Sequence, residues 1–281
     1  YTARLFATPF NDSTSALAGL GFGIGATYTD FTGERNLNFT DTSAADATRN
    51  GLPSYVSDGQ QTFFRYGGNT IADGKRFRVS PQASYYNGPF GLITEYARVN
   101  QDVSLTSGGS ASGGGGVSGG SNTNFTPNTN KSLSHDAWQI AASYLITGED
   151  ASFKGVKPKS DFDLDKGGWG AWELVARYSE INLDDDTFKN KDGTSFSTNT
   201  YADGSQSAKS AKSWTAGVNW YLNSNAKIAL NYSKTSFDGG ASTGITTYGA
   251  TGSPNAAAAN GSNIRDRDDE RAILARFQVA F

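Results

Sequence analysis

The chain has 281 residues, among them 34 Gly, 17 Phe, 13 Tyr and 5 Trp, with no Cys, one His and a formal net charge of -3. Without Cys there is neither a disulfide framework nor a thiolate metal site, one His builds no histidine cluster, and a sequence pI of about 5.2 argues against nucleic acid as the main partner. Mean hydropathy is -0.50, and no run of 18 apolar residues occurs, which excludes a transmembrane helix. The apolar residues are spent singly, one in two. The first residue is Tyr1, with no Met and no signal segment before it, so the sequence reads as a mature or truncated product.

In chain order the same period of two keeps returning. Residues 2 to 8 set Thr2, Arg4 and Phe6 against Ala3, Leu5 and Ala7; residues 19 to 28 set Leu20, Phe22, Ile24, Ala26 and Tyr28 against Gly21, Gly23, Gly25 and Thr27. A weaker strand is expected at 61 to 66. From Lys75 to Tyr96 comes "KRFRVSPQASYYNGPFGLITEY". Phe77, Val79, Pro81, Ala83 and Tyr85 alternate there with Arg76, Arg78, Ser80, Gln82 and Ser84. Asn87-Gly88, a dipeptide that tolerates the positive φ of tight hairpins, then leads into Phe90, Leu92, Thr94 and Tyr96. Pro81 lacks a ladder donor, and a bulge or bend is expected there. Further apolar rows are Trp138 to Ile146, Trp172 to Tyr178, Trp214 to Leu222, Ile228 to Tyr232 after Asn223-Ser224-Asn225, and Ile273 to Phe281. The total is ten strands.

These rows point to an all-β, antiparallel transmembrane β-barrel in a single domain, 1–281. The apolar rows carry no charge within the strand bodies and begin or end in Tyr or Trp, as lipid-facing rows between aromatic girdles do. The other face is polar or Gly. Tight turns alternate with long connections at 100–133, 183–211 and 238–267, rich in Gly, Ser, Asn and Asp, as periplasmic turns alternate with external loops in outer-membrane barrels. The tract 107 to 121, nearly all Gly and Ser, reads as a loop tip. On this parity Arg4, Arg65, Arg76, Arg78, Arg177, Lys227 and Arg276 face a lumen with Glu95 and Glu173. Fixed cations there lower the barrier for anions, and a guanidinium fork matches phosphate. The plainer reading of any one of them, Arg177 beside Glu173 for example, is a wall charge with a structural partner.

Other patterns carry less. Asp161, Asp163 and Asp165 start like a calcium loop, but Lys166 stands where the turn Gly belongs and Trp172 where a bidentate Glu is needed; no metal or other cofactor is expected. The alternate Gly of 19 to 25 precede no helix and are expected to make room for an infolded segment. Asp184 to Asp186 and Asp268 to Glu270 stand at external strand ends, where cations bridging lipopolysaccharide could bind, although solvation is the default. A barrel hydrolase would need His135 with a matched nucleophile, and none is evident, so the chain is read as no enzyme.

Four blocks, "AWQIAASYLITGEDASFKGVKP", "GGWGAWELVARYSEINL", "WTAGVNWYLNSNAKIALNYSKTSF" and "RAILARFQVAF", resemble the phosphate-selective porins O and P of Gram-negative outer membranes. The likeness is strongest over 134 to 237 and the last eleven residues, and loops 100 to 133 and 238 to 267 carry none of it. It implies sixteen-stranded homotrimers that pass phosphate, polyphosphate or chloride, in contact with outer-membrane lipids and lipopolysaccharide. Ten strands here then imply that about six N-terminal strands are absent, with a closed ten-stranded barrel as the alternative. In function, a general or differently selective porin stands beside the anion channel. Counting back from Phe281, 148 to 168 and 30 to 60 fall on the periplasmic side, and 67 to 75 is an external loop. The segment 148 to 168 resembles an inward-folding element of the family, which offers Lys154, Lys157, Lys159 and Lys166 to an anion. Arg65, Arg76 and Arg78 would form a thin arginine ladder, and Phe281 an assembly signal.

Overall fold

A computed structural model describes residues 1–11, 14–33, 50–68, 70–106, 127–189, 200–242 and 264–280. The Gly/Ser tract at 107–121, the middle of 30–60 and Phe281 lie outside the described residues. The strands are β1 (Thr2–Ala7), β2 (Leu20–Thr32), β3 (Tyr55–Val56), β4 (Thr62–Phe64), β5 (Thr70–Asn87), β6 (Phe90–Thr106), β7 (Pro127–Leu145), β8 (Ala171–Asn182), β9 (Ala208–Tyr221), β10 (Ala226–Ser242), β11 (Ile264–Asp266) and β12 (Glu270–Val279). A single 3-10 turn at Asp185–Thr187 is the only helical element among the described residues.

The large sheet is antiparallel throughout, in the order β1-β2-β5-β6-β7-β8-β9-β10, with β11 and β12 both beside β10. It has ten strands, but not the ten expected. β11 and β12 share one position, and the 61–66 segment is no part of the wall: β4 pairs only with β3, in a separate hairpin. The reason is side-chain chemistry. A wall strand here presents one polar face, whereas the adjacent Phe63 and Phe64 are 3% and 0% exposed, so this stretch needs apolar cover on both sides. Among the described residues β1 bonds only to β2 and β12 only to β10, so the sheet is open and no closed ten-stranded ring forms.

Losing one wall strand moves the connections. Thr32 lies opposite Asp73 and Leu20 opposite Tyr85, so β2 ends and β5 begins at the same end as Thr106 and Asn182, away from the tight turns at 88–89 and 222–225. The expectation of a periplasmic 30–60 is therefore corrected: its described start at the end of β2 is at the long-loop end. The segment 146–170 is at the tight-turn end, as expected. The strands also run further than the apolar rows announce, with β6 reaching Thr106, β7 starting at Pro127 and β10 reaching Ser242.

Pro81 sets no bulge. Register is continuous from Val79↔Arg98 to Gln82↔Glu95, and pairing lapses only at Ser80 and Pro81, on the β6 side; the missing donor faces that way. The register shift lies between Ala72 and Arg76, around Gly74 with φ of 119°, a conformation that suits Gly.

One face of the sheet is the expected apolar one. Trp138 and Tyr178, Trp214 and Tyr232, and Trp172 and Trp220 meet there with ring centroids 5.3, 5.3 and 5.0 Å apart. Trp214 and Trp220 stand six positions apart on β9, about 20 Å along a strand. Beyond the upper aromatics this face turns charged, with pairs Glu180–Lys212 at 3.8 Å and Lys234–Asp269 at 2.8 Å. The buried apolar residues sit on the opposite, inner face. At the long-loop end Val103, Leu133, Ala211 and Phe237 of the wall are covered by Phe63, Phe64 and Tyr66, with Leu183 and Tyr201. At roughly 1.5–3 kcal/mol per buried large side chain, this packing commits the 50–68 segment to the interior of the curve.

Candidate pore-lining face

The 50–68 segment crosses the inner face as a hairpin whose tip is Ser57 to Gln61. Ser57 N–H donates to Gln61 O at 2.9 Å and Gln60 N–H to Ser57 O at 3.0 Å. The tip holds Asp58 against the opposite wall. Arg177 Nη2 lies 2.6 Å from both carboxylate oxygens, and the hydroxyls of Ser233, Ser213 and Thr215 donate at 2.6, 2.8 and 3.3 Å. Beside it Glu270 accepts from Ser57 Oγ and Gly59 N–H, both at 2.8 Å. Burial alone would raise the Asp58 pKa; the hydrogen bonds from Ser233, Arg177 and Ser213, with the Arg177 charge, outweigh it and hold the carboxyl down at about 2. Asp58 was not among the residues expected to matter, and Glu270, expected at an external strand end beside bridging cations or solvent, instead holds the tip. Asp58-Gly59 between two apolar runs, a hairpin signal in itself, was the available clue.

At the root of this segment Arg76 donates through Nε to Gln101 Oε1 and through Nη2 to Gly51 O, with its guanidinium 4.8 Å from the Phe31 ring centre. These partners are uncharged, and the guanidinium stays on the inner face. Arg78 follows two residues on, exposed on the same face. Across β2, on β1, is Arg4. The register makes the sequence of levels explicit: Arg76 lies opposite Thr29, Arg78 opposite Thr27 and Arg4 opposite Gly25. A Cβ on Gly25 would meet nothing within 4 Å, so open space adjoins the Arg4 level. The room left by Gly21 and Gly23 is used differently from expectation: the Phe6 ring lies over both, where an infolded segment was expected.

The remaining expected residues divide. Arg177 is on the inner face, but its partner is Asp58; Glu173 instead accepts from Asn219 Nδ2 and Tyr221 Oη, both at 2.8 Å. Lys227 lies on the same face near the tight-turn end, its Nζ 5.2 Å from the Tyr221 ring centre, and Arg276 is exposed two positions along from Gln278, which pairs with Lys227. Arg65 is off the wall and exposed, its peptide held on both sides by Ser207 Oγ. Thus Arg65 does not continue a ladder with Arg76 and Arg78. The segment 146–170 tucks Ala151 and Val156 against Leu145, Ala171 and Tyr221, beside Tyr86, all at the tight-turn end of the inner face. Lys154, Lys157 and Lys159 are exposed on it, and Lys159 Nζ donates to Gly148 O at 2.6 Å. Asp163 caps its own turn, accepting from the amides of Asp165 and Lys166, and pairs with Lys166 Nζ at 3.1 Å.

His135 is buried on the inner face, not at an open rim. Its Nδ1 accepts from the Asp184 amide at 3.0 Å, so the proton of the neutral ring is on Nε2, 2.6 Å from Tyr66 Oη. These partners tie the wall to the 50–68 segment and to Asp184; a serine nucleophile is not among them.

The family described as phosphate-selective porin O and P matches residues 1–259. The match takes in the first 133 residues as well as the central blocks and stops short of "RAILARFQVAF". No curated protein matches the chain.

Proposed function

We propose, from the premise that this chain belongs to the phosphate-selective porin O and P family and is an outer-membrane porin, that phosphate descends along the arc formed by β1, β2 and β5. Arg76, Arg78 and Arg4 supply three cationic levels there, each two residues below the last, roughly 6.6 Å by strand rise. Among the described residues, two inner-face cations of the wall have a carboxylate in ion-pair contact, Arg177 with Asp58 and, at the long-loop end, Lys131 with Asp186. The Arg177 charge is taken up by the infolded tip, while the β1–β5 arc stays basic. Of the inner-face carboxylates, Glu95 borders the arc, accepting from Ser80 Oγ of β5 and from Gln139, while Glu173 lies under Tyr221 and Glu270 against the tip. Several moderate cationic sites in series let an anion shed water without being trapped. Lys154, Lys157 and Lys159, with Lys227 and Arg276, extend the basic path at the tight-turn end.

The barrel reading completes the picture. Two unpaired edges, on β1 and β12, would cost several kcal/mol per bare backbone group in hydrocarbon. We infer that further strands close the ring, to the sixteen-stranded homotrimer that the family implies, with lipopolysaccharide around it and polyphosphate as an extended substrate. The observation that carries the anion path is the placement of Arg4, Arg76 and Arg78 at consecutive levels beside the open space at Gly25. Planar-bilayer recordings of Arg4→Ala/Arg78→Ala test it. Chloride conductance at low salt and its block by phosphate should both fall; an unchanged block refutes this path. The three carboxylates on the same face favour a second reading, a weakly selective general porin, which a reversal potential near zero in a KCl gradient would establish.

A further inference from the structure

The segment that follows β7 does two things at once. Its first half is inside the curve, through Ala151 and Val156. Its second half passes to the outer face. Phe162 N–H donates to Leu222 O at 2.7 Å, and the Phe162 ring meets Trp220 edge-on with centroids 5.0 Å apart. Trp220 in turn stacks on Trp172 and donates from Nε1 to Trp169 O at 2.8 Å. Trp172 and Trp220 belong to the lower aromatic girdle, so residues 162 and 169 lie against the girdle itself. Between them Asp163 and Gly168 exchange backbone hydrogen bonds of 3.0 and 2.9 Å, making a closed loop whose tip, Leu164 to Gly167, projects away from the wall.

What projects is mixed, two large apolar side chains with Asp165 and Lys166 exposed between them. Leu164 is 80% and Trp169 68% exposed. Neither exposure comes from a bare sheet edge, since β8 and β9 are interior strands paired on both sides. The loop is rigidly made, with Asp163 Oδ1 accepting two amides, so these side chains are held out. Beside Leu164 stands Lys166, whose stem can lie along an apolar boundary with its ammonium in the headgroups.

We propose that residues 161–170 are a membrane-interface anchor that inserts Leu164 and Trp169 into the headgroup and upper acyl region of the periplasmic leaflet. The occupant is phospholipid, argued from continuity: the loop extends the lipid-facing girdle downward and sideways, presenting the Trp and Lys chemistry that interfaces favour. An anchor of this kind would also fix the entrance of the 146–156 limb into the lumen, because both limbs hang from one short segment. The inference rests on the outer-membrane placement of the sheet.

The 281 residues contain no Cys, which makes single nitroxide labels practical. In the full-length porin, with any other Cys replaced, labels at Leu164→Cys, Leu230→Cys and Ser224→Cys are compared in phosphatidylethanolamine/phosphatidylglycerol nanodiscs for collision with oxygen and with a nickel chelate. Leu230 is on the apolar face of the wall and Ser224 in the tight turn. The Leu164 label should share the oxygen preference of the Leu230 label, and Trp169→Phe should lower the fraction of tryptophan emission quenched by brominated acyl chains. Nickel access equal to that of the Ser224 label overturns the anchor. So does protection from both reagents, which would mean that another protein surface covers the loop. If the Leu230 label itself prefers nickel, the membrane placement of the sheet fails, and the anchor fails with it.

Discussion

Asp58→Asn separates two roles that the infolded tip combines, pinning and charge cancellation. The carboxylate accepts from Arg177 and from the hydroxyls of Ser213, Ser233 and Thr215; the amide can accept at only one oxygen and sets an NH2 against donors. Hydrogen bonds to charged groups contribute about 1.5–3 kcal/mol, but exposed ion pairs contribute less than about 1 kcal/mol. Side-chain exposures of 38% for Arg177 and 22% for Asp58 place this pair between those limits. A loss of about 2 kcal/mol for the anchor follows, which at 1.4 kcal/mol per decade raises the released-to-pinned ratio about thirty-fold. At the same time Arg177 becomes an uncompensated cation in the lumen. Arg177→Ala releases the tip as well but leaves an uncompensated carboxylate. Single-channel recordings in a KCl gradient read both consequences. Open-level noise should rise in both variants, whereas the reversal potential should move toward chloride selectivity in Asp58→Asn and away from it in Arg177→Ala. Shifts of the same sign, or none, would refute the claim that this pair faces the conducting path.

Acid should reach the same anchor. Because the Asp58 pKa is depressed from its ordinary 3.8 to about 2, the stabilisation is complete above 3.8 and is lost as pH falls from there through 2; open-level noise should be flat above this window and rise within it. Gly23→Val should lower the temperature at which the folded band is lost on gels, since a Cβ there would stand 2.6 Å from the Phe6 ring and 2.7 Å from Gln82 Nε2 and overpacking costs about 1–3 kcal/mol. Gly25→Ala, which meets nothing within 4 Å, should leave that temperature unchanged or raise it. Lys154→Ala should weaken block by phosphate with less dependence on salt than Arg78→Ala, if Lys154 acts in a narrow passage; an unchanged block would remove the 148–168 segment from the selectivity path.

The wall was legible because a lipid-facing sheet has only one way to write itself: Trp214, Ala216, Val218 and Trp220 alternate with polar residues, and the register of β9 against β8 and β10 follows that alternation. The strand miscount at 61–66 shows where the period stops being informative. Thr62, Phe64 and Tyr66 alternate as a wall strand would, and only the additional Phe63 betrays that both faces need cover. That single residue decides topology, because removing one strand reverses the end at which the 33–69 connection emerges. The site follows the same division. Arg76, Arg78, Arg177, Lys227 and Arg276 could be assigned to a face by parity alone. Their partners could not, since Asp58 reaches Arg177 across 119 positions and Ser233 across 175. Parity states which side a charge is on; whether it remains available to an anion depends on what the interior segment brings to it. Here the tip pairs with the cation on β8 and leaves those on β1 and β5, so on the proposed anion path an infolded carboxylate would shape selectivity as much as the arginines of the wall.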